Sequence, residues 1–250
     1  MGITAVIDNG LPLALFEDAI SSADSCIDLV KFGWGTALVT PRLTDKISCL
    51  DRHNIGFLFG GTLFEKFFAQ GIVEEYFDFC RQHGCRYLEV SDGTIEIPVA
   101  EKARLIARAA EDFVVLSEVG YKDQERSTAL TGEQWAARIK ADLEAGATLV
   151  VTEARESGTS GVCNAAGELR SDVIEEIIAS GIDCRRLVFE APTKGLQTFF
   201  VTRLGSDVNL ANIAPSDVIA LETLRLGLRS DTFLHFELER HHKWEVEIGA

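Results

Sequence analysis

Acidic side chains in this sequence stand at the ends of short apolar runs, where a parallel β-structure would set them side by side. The runs span residues 3–8, 27–35, 54–61, 86–93, 113–120, 148–158, 186–192 and 207–213. Asp8, Glu89, Glu118, Glu153 and Glu190 lie where five of these runs stop. A core strand gains nothing from a terminal carboxylate, because burying an unpaired charge is very costly. A ring of carboxylates suits a divalent cation or acid–base work. Glu89, Glu118, Glu153 and Glu190 are therefore the candidate metal ligands.

Basic and polar residues accompany them. Lys31, in KFGWGT (residues 31–36), is either a buried structural ion pair or a residue that binds substrate and orients a carboxylate. In GGTLFE (residues 60–65), Gly61 stands before a helix start, where backbone amides either cradle an anion or simply turn the chain. Thr62 and Glu65 have capping-box spacing, as do Thr131 and Gln134. Glu89 and Ser91 share one strand face by the period of two, and Asp92-Gly93 is part of the same site or an ordinary turn. Lys122, four positions after Glu118, is a candidate general acid, although a lone lysine is more often a surface residue. Arg155 and Ser157 follow Glu153; Arg155 suits bidentate anion binding or an ion-pair network. Lys194, Asn209 and Asn212 lie near the last two runs, whose loops often bind phosphate in barrels.

Positioning these residues together requires a particular architecture. The runs are rich in Val, Ile, Leu and Phe, as suits parallel strands buried on both faces. They alternate with segments long enough for crossover helices, and right-handed crossovers would close them into a single (β/α)8 TIM barrel over residues 1–234. An open doubly wound sheet is the alternative, but the first run lacks a dinucleotide fingerprint. Pro12 and Pro98 mark helix starts; Gly84, Gly146, Gly181 and Gly205 mark helix ends, and Gly71 bends or splits the third helix. Residues 235–250 fit no βα unit and form a short extension packed on the barrel or at a subunit interface. His241 and His242 are adjacent and point apart, so no metal site is expected there.

Composition narrows the partners. With 39 acidic against 24 basic residues and a formal charge of −15, the chain is not built for nucleic acid. A small anionic substrate would need a local basic pocket set against that field. The six cysteines have no zinc-ligand spacing and read as reduced, in keeping with the cytoplasm. No apolar run is long enough to span a membrane, and the opening residues run straight into a strand, so no signal peptide is expected.

Each motif alone is weak, but their order is specific. The chain resembles the phosphosulfolactate synthases in DxGLP, KFGWGT, GGTLFE, E-x-SDG, EVG-x-K, E-x-RESG, FEAP, VNLANI and LETLR-x-GLR-x-DTF, from residue 3 to about 233. The resemblance implies a carbon–sulfur lyase or synthase of coenzyme M biosynthesis that adds sulfite to phosphoenolpyruvate. It also implies a (β/α)8 barrel, Mg2+ dependence and a homo-oligomer, and it puts the family's general-acid lysine on Lys122. The chain departs from the family where cations are usual: Asn9 stands in DKGLP, Tyr121 follows EVG, and residues 159–165 are neutral. Weakened sulfite addition is the expectation from those departures. Two readings stand beside it: a same-scaffold enzyme acting on another enol or carboxylate substrate, and a non-catalytic barrel with a binding or stress-related role.

Overall fold

A computed structural model of the chain describes residues 2–154, 161–163 and 169–236. The elements run β1 (Thr4–Asp8), α1 (Leu13–Ala23), β2 (Leu29–Phe32), α2 (Leu43–Arg52), β3 (Gly56–Phe59), α3 (Gly61–Ala69), α4 (Val73–Gln82), β4 (Tyr87–Val90) and α5 (Val99–Ala109). They continue with β5 (Val114–Val119), α6 (Gln124–Ala129), α7 (Gly132–Glu144), β6 (Leu149–Thr152), α8 (Ser171–Ala179), β7 (Leu187–Glu190), α9 (Lys194–Leu204), β8 (Leu210–Ile213) and α10 (Val218–Arg225).

All strand pairings are parallel, and the sheet order β3-β2-β1-β8-β7-β6-β5-β4 rolls the chain into a single, nearly closed (β/α)8 barrel. The β3 and β4 strands meet without a ladder among the described residues. They still approach closely: a Cβ on Gly56 would fall 2.6 Å from the Tyr87 ring. A side chain at Gly56 would have to displace the Tyr87 ring and the Leu29 methyl, which glycine leaves room for.

Strand periodicity sorts the side chains into two environments. Outward residues such as Val30, Phe32, Phe59, Leu88, Val150 and Phe189 form the main core with the helices. Inward residues Ala5, Leu29, Leu58, Leu116, Val151, Val188 and Ala211 fill the barrel interior. Two residues further along their strands, the inward positions become Lys31, Glu118, Glu153 and Glu190, with Glu89 on β4 in the same upper layer. Strand tilt sets each charge beside an apolar neighbour: Lys31 faces Leu58, Glu89 faces Leu116, Glu118 faces Val151 and Glu190 faces Ala211.

Helix signals held in part. Thr131 and Gln134 form a reciprocal capping box on α7. The expected box at Thr62 and Glu65 does not form, because α3 starts at Gly61, two residues earlier than that box requires, with Gly60 as its cap and Thr62 inside the first turn. Gly71, at φ +73°, divides the expected third helix into α3 and α4. The extension expected over residues 235–250 lies outside the described residues from 237 onward.

A candidate active site at the barrel mouth

A cavity of about 580 Å³ opens above the charged layer. Its wall includes Lys31, Glu118, Lys122, Glu153, Glu190 and Asn212, with Gly60, Gly61 and Thr62 on one side. That volume suits a small metabolite.

Lys31 spans the floor. Its Nζ lies 3.2 Å from Glu89 Oε1 and 3.0 Å from Glu190 Oε1. Burial opposes the charge, but Glu89, Glu190 and Glu118 outweigh it and hold the ammonium well above its ordinary pKa. Glu190 also accepts from the Ala154 amide at 2.8 Å, and Glu89 from the Gly61 amide at 2.8 Å. Burial, opposed by Lys31 and reinforced by Glu118 and Glu190, pushes the Glu89 carboxyl up to about 7. Burial likewise raises Glu190, against the pull of Lys31.

Lys122 hangs over the opposite wall. Its Nζ donates to Thr62 Oγ1 at 3.2 Å and lies 3.5 Å from Glu118, 3.8 Å from Glu153 and 3.9 Å from Glu65. Burial works against the ammonium, but Glu118, Glu153 and Glu65 overcome it and raise the pKa, so Lys122 carries its proton. Burial also works against an ionised Glu118; Lys122, Lys31 and the Ser91 hydroxyl override it and hold the carboxyl down to about 2. Glu153 goes the other way: burial and the neighbouring Glu190 and Glu118 raise it well above the usual range.

Glu118, Glu153 and Glu190 each offer an oxygen within 4.8 Å of the other two. The Glu153 Oε2 atom is buried with no hydrogen-bond partner among the described residues. Three hard oxygen donors, one of them unsatisfied, fit a small divalent cation such as Mg2+. Glu89, bound to Lys31 and the Gly61 amide, is not one of the three whose oxygens converge.

Other expected site residues take different places. The Gly61 amide is given to Glu89, so that helix start holds the protein's own carboxylate. Ser91 bridges Glu65 and Glu118, at 2.5 and 2.8 Å. Asp92 turns away from the cavity to Lys102, at 2.8 Å. Lys194 is exposed and paired with Asp231 at 2.8 Å, away from the cavity wall. Asn209 falls at the start of β8 rather than its end, where it ties the Ile3 amide to the Arg185 and Leu187 carbonyls. The run in residues 207–213 begins its ladder only at Leu210, so Asn209 belongs to the barrel floor and Asn212 to the mouth. Asn212 sits at φ +57° with its buried Oδ1 lacking a partner among the described residues. Arg155 and Ser157 lie outside the described residues.

Two site residues escaped sequence reasoning. Glu65, only 2% exposed, accepts from Ser91 Oγ and from the Thr94 amide. Thr62 holds the Lys122 ammonium. Their spacing suggests a helix cap, and the signal that separates the two roles is Gly60, which serves as the cap one position before the α3 start.

Comparison with known proteins agrees with the motifs. Residues 1–231 match the family of (2R)-phospho-3-sulfolactate synthase (ComA). The phosphosulfolactate synthase of Bacillus subtilis (strain 168) is 53% identical over 232 residues, covering 93% of this chain and 92% of that one. The phosphosulfolactate synthase of Methanocaldococcus jannaschii is 41% identical over 236 residues, covering 93% and 94%. Among solved structures, 3-hexulose-6-phosphate synthase from Salmonella typhimurium aligns at TM-score 0.56 and 14% identity, covering 89% of this chain and 99% of that one. Phosphonopyruvate hydrolase in complex with oxalate and Mg++ also aligns at TM-score 0.56, with 17% identity and coverage of 88% and 77%. At such identities the structures share the fold alone. The family match over nearly the whole chain, together with its relatives, makes this protein an enzyme that belongs to the phosphosulfolactate synthase family.

Proposed function

We propose that this enzyme adds sulfite to phosphoenolpyruvate, giving 2-phospho-3-sulfolactate, with Mg2+ held by Glu118, Glu153 and Glu190. The observation that carries the reading is the protonated Lys122 ammonium at the wall of a cavity whose neighbouring face is a triad of buried carboxyls. Sulfite attacks the methylene carbon, and the electron pair of the double bond moves through the adjacent carbon into the carboxylate, which gains a second negative charge. A bound divalent cation supplies positive charge for that carboxylate as it develops. Lys122 gives its proton to the carbon bearing the phosphate. Lys31, fixed between Glu89 and Glu190, contributes positive charge at the floor.

Phosphorus NMR of the reaction with and without a chelator tests this. Product that requires both substrates and Mg2+ supports the reading, and no product under any of these conditions overturns it. A second reading, in which a less charged nucleophile replaces sulfite, is favoured by Asn9. Its amide oxygen is buried over Gly33, without a partner among the described residues, in a position where the family commonly carries lysine. Tyr121, a second departure, lies beneath the Arg126 guanidinium, 3.9 Å from its ring centre, and is not part of the cavity wall; of the third, residues 159–165, only 161–163 are among the described residues.

A cytoplasmic location and a homo-oligomer go with this proposal. All six cysteines are unpaired, and no helix among the described residues is long and apolar enough to cross a membrane. Trp34, Leu38, Val39, Phe233 and Leu234 expose apolar surface that a second copy would cover. Sedimentation of the purified protein tests the assembly: a species larger than one chain supports it, and a lone monomer at micromolar concentration excludes it.

A further inference from the structure

Behind the cavity wall lies a second charged cluster. Lys102, on α5, is 4% exposed and sits on the outer side of the barrel between β4–β5 and helices α5 and α7. Its ammonium has three donors, and each has an acceptor: Asp92 Oδ1 at 2.8 Å, Asp142 Oδ2 at 2.9 Å and the Glu118 carbonyl at 2.6 Å. Asp142 also accepts from the Ser117 hydroxyl at 2.5 Å, and Arg138 lies 3.5 Å from the other oxygen of Asp92.

The placement of these acceptors matters. The β4–β5 ladder ends at the Val90–Ser117 pair. Glu118 lies one residue beyond it, and the Lys102 ammonium takes its carbonyl. Asp92 lies two residues beyond the end of β4 and is gripped by the same ammonium. Its neighbour Gly93 gives its carbonyl to the Lys122 amide at 2.9 Å. A Cβ on Gly93 would fall 2.9 Å from Glu118 Oε1 and 3.5 Å from Lys122 Nζ. The two loops thus pass within contact distance, and a single cation outside the barrel pins both of them.

We infer that Lys102 is a positioning residue for Lys122 and Glu118. By joining Asp92 to the Glu118 carbonyl it sets the two strand ends at the spacing that hangs the Lys122 ammonium among Glu118, Glu153 and Glu65. Its catalytic consequence rests on the function proposed above; its geometric consequence does not.

The test compares Lys102→Met with Ile106→Ala, which opens a cavity one turn along the same buried face of α5 while leaving the three contacts of the ammonium in place. Lys102→Met is expected to lower kcat on the order of 10²-fold, because about 1 Å of misplacement has that effect, with KM for phosphoenolpyruvate within about threefold of wild type. Ile106→Ala is expected to lower the thermal midpoint while leaving kcat near wild type below that midpoint. Unchanged kcat in Lys102→Met, or an equal loss in Ile106→Ala, would overturn the inference. Should Lys102→Met not fold, Asp142→Asn removes one counterion of the ammonium, and about a tenfold fall in kcat is expected; a wild-type rate there overturns the inference too. Should the wild-type enzyme make no phosphosulfolactate, the proposed function fails by itself. The crystal structure of Lys102→Met then decides: the Lys122–Glu118 separation, 3.5 Å here, is expected to widen by about 1 Å, and an unchanged distance refutes the positioning role.

Discussion

The β1 side of the barrel mouth and the β5–β7 side both bury strand-ending carboxylates, and they treat them in opposite ways. Asp8, at the end of β1, is 1% exposed and fully engaged. One oxygen accepts from the Gly10 and Leu11 amides at 2.9 and 2.8 Å, and the other from Lys46 at 2.5 Å. Lys46 in turn lies over the Phe16 ring, so acid, base and turn form one closed unit. Across the mouth, Glu118, Glu153 and Glu190 crowd within reach of one another, and Glu153 Oε2 has no hydrogen bond among the described residues, only the Lys122 ammonium at 3.8 Å. A strand-end carboxylate therefore marks chemistry only where the fold leaves part of it unsatisfied.

The comparison can be broken most directly at Lys122. Lys122→Ala should lower kcat by roughly 10²–10⁴ while substrate affinity stays within a few-fold, as loss of a general acid predicts. Asp8→Asn should leave kcat within about threefold of wild type. Steady-state phosphosulfolactate formation measures both, and an unimpaired Lys122→Ala would make the lysine a rim charge only.

Stability should show the reverse ordering. Asp8→Asn leaves Lys46 buried without its counterion, which should cost about 3–5 kcal/mol in urea unfolding. A loss under about 1 kcal/mol would mean that the two amides, rather than the ion pair, hold the β1 turn.

The pH dependence gives a finer distinction. Glu89 has a folded pKa of about 7, above its unfolded value near 4.5, so the folded state binds more protons between these values. Its contribution to stability is present in full below pH 4.5 and is lost as pH rises to 7, by on the order of 3 kcal/mol in metal-free protein. Glu118, held near 2, acts with the opposite sign, and its contribution is lost as pH falls from 4.5 through 2. Unfolding free energies measured with chelator should decline from pH 4.5 to 7 in wild type and decline less in Glu89→Gln. Parallel curves would remove Glu89 from the account.

Glu153→Gln sharpens the contrast with Asp8→Asn. Without metal it should be neutral or stabilising, because it removes a buried acid crowded by Glu118 and Glu190 and held only by a long 3.8 Å contact to Lys122. Titration with Mg2+ or Mn2+, read as a shift in thermal midpoint, should show affinity at least about tenfold weaker. Unchanged metal affinity would move the cation elsewhere.

The smallest expected effect is at Asn9. Asn9→Lys would add a cation beside Gly33 and should lower KM for sulfite about three- to tenfold through a charge-assisted contact. An unchanged KM would leave sulfite binding to the cations already in the cavity.

Which of these residues could be read from sequence follows from geometry. Parallel strands end on one face, so Glu118, Glu153 and Glu190 were legible as a group from the ends of their runs, as was the barrel from the alternation of runs and helical segments. Asn209 and Asn212 show the limit of that rule, since one apolar run reaches from the floor of the barrel to its mouth and does not announce where its ladder begins. Lys46 and Lys102 were not legible. Each lies on a helix amid polar residues, where a charge ordinarily faces water, and only packing against the β1 turn or the β4–β5 ends reveals that it points inward. Glu65 was hidden by ambiguity of spacing: a Thr and a Glu three apart describe a cap, but they also describe two neighbours on one helix face.

The open seam between β3 and β4 has a consequence for how the barrel moves. Where a ladder would run, its place near the mouth is taken by the Gly61 amide on Glu89 and by Glu65 reaching to Ser91 and the Thr94 amide. These two carboxyls, bonded to the wall residue Gly61 directly and to Glu118 through Ser91, are thus the staples of the joint. Separating β3 from β4 breaks side-chain bonds rather than a row of backbone ones, so opening of the barrel is expected to be easiest at this joint. Hydrogen exchange of the Gly61 and Thr94 amides then reports joint opening, and any occupant that draws on Glu89 or Glu65 changes that exchange from inside the active site.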